Sequence, residues 1–97
     1  MDWHAVVKEF LERIQGQEGL YSVKDLCNGL LQEFHLETHE EVMSYLRDYL
    51  SVSQSHLNFH RKWEKIPNMR NVADYDEKEI AKVEELIQQL SKRAMQK

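Results

Sequence analysis

One cysteine, one proline and three glycines are spread through 97 residues, and each scarcity removes a class of protein. With Cys27 alone, neither a disulfide framework nor a cysteine-based zinc site is available. So little Pro and Gly excludes a low-complexity or turn-dense all-β chain. No apolar run approaches the roughly 18 residues that cross a bilayer, and Asp2 and Glu9 interrupt the layout of a signal peptide, so the expected location is the reducing cytoplasm with no membrane partner. Also missing are a Gly-rich phosphate loop, a nucleophile motif and H-E-x-x-H. The adjacent carboxylates Glu40-Glu41 and Glu84-Glu85 would point apart on a helix. Neither enzymatic activity nor a cofactor is expected.

Hydrophobic residues make up 41% of the chain and charged ones 31%, enough for one helix-rich folded core. The net charge of −4 is unevenly spread: −2 over residues 1–20, −4 over 21–55, +3 over 56–73 and −1 over 74–97. One short segment carries the only positive balance.

Apolar spacing of three and four residues predicts the helices. Trp3, Val6, Val7, Phe10, Leu11 and Ile14 mark the first, from Asp2 as N-cap to a stop at Gly16. Val23, Leu26, Cys27, Leu30, Leu31 and Phe34 mark the second, with Ser22 and Asp25 as a shortened capping box. Asn28-Gly29 contradicts it locally; Gly29 reads either as a tolerated defect or as a place where another helix approaches closely. Thr38 and Glu41 form a full capping box for a third helix ending near Ser51, with Val42, Tyr45, Leu46, Tyr49 and Leu50 on its apolar side. Residues 51–55 are serine-rich and read as a loop. From His56 to Ile66 a helix is preferred over a strand, Pro67 ends it, and 68–75 reads as a connector. A final helix starts at Asp76, capped with Glu79, and runs to about Met95.

These elements assemble on paper into an all-α bundle of four to five helices with a long C-terminal helix, occupying 1–97 as one domain. A three-helix unit (1–52), a basic and aromatic connector or short helix (53–75) and the last helix (76–96) divide it. The alternative is a winged-helix-like α+β fold with a short hairpin in 52–66. Element order alone suggests it, and the acidic exposed side of the third helix, with Glu40, Glu41 and Asp48, is repelled by DNA phosphate.

The candidate binding residues are Phe59, His60, Arg61, Lys62, Trp63, Lys65 and Arg70, where bases alternate with aromatics. Such a run suits an acidic protein partner, or nucleic acid through phosphate contact and stacking; the plain alternative is aromatics in the core with cations reaching outward. Ile80, Val83, Ile87 and Leu90 follow heptad steps and either close the chain's own core or pair it with a second copy. The acidic sides of helices two and three offer a surface for a basic partner. His35 with His39 and His56 with His60 are spaced i, i+4, yet neither pair has a further ligand placed to complete a metal site, so no metal is assigned. The expected role is therefore a small regulator, adaptor or inhibitor that binds another protein. DNA binding through 56–70 is the rival, with a histidine metal site a minor third.

Overall fold

The computed structural model describes residues 2–95. Four helices follow one another: α1 (Trp3–Gln15), α2 (Tyr21–Gln32), α3 (His39–Lys62) and α4 (Met69–Met95). The fold is all-α, and no strand occurs among the described residues. The hairpin alternative for 52–66 is thereby corrected: α3 runs through 62 and a tight turn follows.

α1 begins where Asp2 accepts the His4 amide at 3.0 Å, and it buries all six residues that its periodicity marks. Trp3 is buried with its indole satisfied, because Nε1–H donates to the Glu37 carbonyl at 3.2 Å. Gly16 stays right-handed; the left-handed residues of the turn are Gly19 and Leu20, at φ of 79° and 58°. A non-glycine residue in that region is strained by roughly 1–2 kcal/mol, and here the side chain of Leu20 is buried in the core.

Because the turn ends there, α2 starts at Tyr21 and the expected capping by Ser22 and Asp25 does not form. α4 supplies the cap instead. The Ser22 and Val23 amides donate to the Glu79 carboxylate at 2.9 and 3.3 Å, and the Tyr21 amide donates to the Tyr75 hydroxyl at 2.9 Å. At its other end α2 stops at Gln32, short of Phe34. The amides of Glu33 and Phe34 both reach the Gly29 carbonyl, at 2.9 and 2.8 Å, which folds the Phe34 ring back over Gly29 and against Tyr45. The close approach at Gly29 is thus made by this ring and not by another helix.

Thr38 caps α3, accepting the Glu41 amide at 3.1 Å. The loop expected at 51–55 is helical: Ser55 Oγ–H donates to the Ser51 carbonyl at 3.3 Å, so serine is accommodated within the turn. Ile66-Pro67-Asn68-Met69 then reverses the chain, with the Met69 amide on the Ile66 carbonyl at 3.0 Å and Asn68 at φ 74°. Pro second and a left-handed Asn third is the pattern of a type II turn. α4 therefore begins seven residues before Asp76, and 68–75 is no connector. The divisions expected at 52 and 76 fall inside α3 and α4, and that at 96 lies outside the described residues.

Phe10, Ile14, Leu30, Leu46, Leu86 and Leu90 are fully buried, and truncating such a leucine to Ala costs about 2–5 kcal/mol. α3 and α4 lie antiparallel: His39 Nε2–H donates to the Leu90 carbonyl at 3.3 Å near one end, and His60 pairs with Asp76 near the other. α1 and α2 cover only the part of this pair that holds the core, with Arg93 of α4 bonded to Glu9 of α1 at 3.1 Å. The free end of the α3–α4 pair gives the molecule its length, 48 × 26 × 25 Å.

Candidate functional site

Beyond the first turn of α2 the two long helices continue with few buried side chains between them. Ala73 is buried there and Leu57 half-buried. Polar contacts tie this end together. Arg61 reaches Asp74 at 3.0 Å, Glu77 at 2.5 Å and Glu64 at 3.3 Å, and the bond to Asp74 is the chief reason its guanidinium is held still more firmly protonated than usual. His60 Nδ1 is paired with Asp76.

These contacts divide the seven candidate residues into two groups. His60 and Arg61 face α4 and are engaged within the chain. Phe59, Lys62, Trp63, Lys65 and Arg70 are exposed, and among the described residues the three cations make no ion pair. Lys62 Nζ instead lies 5.7 Å from the centre of the Trp63 ring.

Every exposed large apolar residue of the described chain gathers at this end or at its border. Phe59 is 58% exposed, Val52 57%, Ile66 48%, Trp63 44% and Val72 40%, while Tyr21, 67% exposed, stands at the start of α2. Elsewhere the large apolar side chains of the described residues are buried or half-buried. Val52, Ile66 and Val72 are not among the seven candidate binding residues, and His56 enters the sequence reading as half of a histidine pair. The signal for Val52 and His56 is the spacing Tyr45, Tyr49, Val52, His56, Phe59, Trp63, which steps by four and three without a break and emerges only once 51–55 is helix.

The heptad residues of α4 have another destination. Ile80, Val83 and Leu90 are buried, and Ile87 packs against the same core, so pairing two copies through them would require opening it.

Where α2 meets the hairpin, a pocket of about 110 Å³ is lined by Ser22, Tyr49, Ser53, His56, Asp76, Glu79, Ile80 and Val83. Its polar groups have structural duties: Asp76 holds His60 and Glu79 caps α2. Burial raises Glu79 from its ordinary carboxylate value despite the two amides that favour its charged form. Tyr49 is raised as well, again chiefly by burial. Among the described residues no three His, Cys, Asp or Glu side chains are grouped as a metal ion requires. His39 is bonded to Leu90 while His35 is exposed, and His60 is paired with Asp76 while His56 is exposed. Cys27 is buried, and its thiol is pushed up to about 12 by burial. No buried polar or charged residue occurs in the described core, and no described helix is long and apolar enough to cross a membrane. In comparisons with known proteins, no family model, no curated protein and no solved structure matches this chain.

Proposed function

We propose that this chain is a small helical bundle with no catalysis of its own, a cytoplasmic regulator, adaptor or inhibitor that acts by binding another protein through the free end of α3–α4. The observation that carries this reading is the set of exposed apolar side chains Phe59, Trp63, Ile66 and Val72 near the cations Lys62, Lys65 and Arg70, which make no ion pair among the described residues. Aromatic anchors rimmed by charge are the composition of binding hot spots. Catalysis finds less support: Glu79 and Tyr49 both line the small pocket beside α2, but Glu79 is engaged in capping that helix, Tyr49 is shifted chiefly by burial, and Cys27 is buried in the core.

Affinity capture from cells that express the protein, with wild-type and Phe59→Ser/Trp63→Ser baits, tests the proposal. A partner retained by wild type and lost by the variant, with the two baits melting alike, is the expected result. Equal capture by both would remove this end of the molecule from the function.

A further inference from the structure

The apolar stripe on α3 is longer than the part of it that the chain covers. Tyr45 and Tyr49 are half-buried beside α2 and Phe34, whereas Val52, His56, Phe59 and Trp63, next along the same line, are exposed. From Val52 to Trp63 the stripe rises about 16 Å, or three helical turns. α2 lies beside its covered part, with its start fixed to Tyr75 and Glu79 and its far end delivered by Phe34 to Tyr45. The helix thus ends in mid-groove, with its N-terminus toward the uncovered half. Ahead of that N-terminus, at Tyr21, the line on α3 is left uncovered from Val52 through Phe59 to Trp63, a step where α2 no longer lies on it, and Val72 is exposed on the adjoining part of α4.

We propose that this step receives an acidic amphipathic α-helix of a partner protein, laid end to end with α2; the proposal rests on the interaction reading above and names its ligand. The length fits three turns of helix, whose apolar residues at three and four spacing would meet the stripe of α3. Charge selects the sign of the partner. Lys62, Lys65 and Arg70 border the open end with no ion-pair partner among the described residues, while Asp74, Glu77 and Glu64 are held by Arg61. A flat anionic bilayer fits less well, because α2 stands on the same side and presents Asp25 and Glu33 along the groove it shares with Tyr45 and Tyr49. Those carboxylates would repel an anionic surface laid across that side.

The test uses two synthetic 18-residue helices with leucine at three and four spacing and either Glu or Lys on the remaining faces, titrated into the full chain. Trp63 is exposed and Trp3 buried, so the indole N–H of Trp63 in an amide correlation spectrum is the local reporter. The Glu peptide should shift Trp63, Phe59 and Val72 and bind at least about tenfold more tightly than the Lys peptide, with the preference shrinking as salt is raised. Phe59→Ser should abolish the shifts while leaving thermal unfolding unchanged. Equal binding of both peptides, or shifts confined to α1, would overturn the proposal. So would sedimentation showing a dimer that Phe59→Ser dissolves, which would make a second copy the occupant, or binding of phosphatidylserine vesicles without binding of the peptide. Should the Glu peptide fail while cellular capture still depends on Phe59 and Trp63, the helical ligand falls and the interaction reading stands. If capture is also indifferent to them, both fall.

Discussion

Gly29 offers a measurement in which two opposing effects of known size meet at one atom. Replacing a helical glycine by alanine stabilises by about 1 kcal/mol through backbone entropy. Here, however, a new Cβ would lie 2.7 and 2.9 Å from Cζ and Cε2 of the Phe34 ring, well inside contact distance. Phe34 cannot yield freely, since its amide is fixed to the Gly29 carbonyl at 2.8 Å and its ring rests on Tyr45, centroids 4.9 Å apart. Overpacking of this kind costs about 1–3 kcal/mol, so Gly29→Ala should leave the protein between unchanged and about 2 kcal/mol less stable. In a Phe34→Ala background the obstruction is gone and the same substitution should stabilise by about 1 kcal/mol. The double-mutant cycle therefore has an expected coupling of about 1–3 kcal/mol. Urea unfolding followed by the fluorescence of buried Trp3 reads all four variants. A gain of about 1 kcal/mol from Gly29→Ala in both backgrounds would refute the reasoning, because the ring would then not be what keeps residue 29 a glycine.

Glu79 is raised above its unfolded pKa, so folding takes up protons between the two values and stability falls as pH rises through them; relative to Glu79→Gln, wild type should lose stability with increasing pH across that window in urea titrations. An unchanged difference between the two proteins would show that the carboxylate is not desolvated. Cys27, buried and with its thiol pushed up to about 12, should resist a thiol reagent at pH 8 in the native protein and react promptly in denaturant; fast native labelling would mean that the core opens readily. At Asn68, φ of 74° predicts that Asn68→Gly is neutral or slightly stabilising while Asn68→Val costs roughly 1–2 kcal/mol, read from thermal melts. Mixed-sequence duplex DNA should show no salt-sensitive binding that Lys62→Ala and Arg70→Ala weaken together; such binding would favour nucleic acid over a protein ligand for these cations.

Sequence alone determined the helical class, the inward faces of α1 and α2 and the caps at Asp2 and Thr38. Each rests on a periodicity or on a hydrogen bond spanning two or three residues, and such local terms keep their sign in any surroundings. Tertiary structure decided where helices end. Serines at 51–55 and a capping pair at Asp76 and Glu79 weigh about 1 kcal/mol either way, and the antiparallel run of α3 against α4 outweighs them by carrying both helices through. It also decided what acts at a distance: Glu79 caps a helix that begins at Tyr21, and Arg61 spends its charge on Asp74 and Glu77. Which cations of the basic segment stay open to a partner follows from that pairing, because a charge is available only where no opposite one has been folded against it.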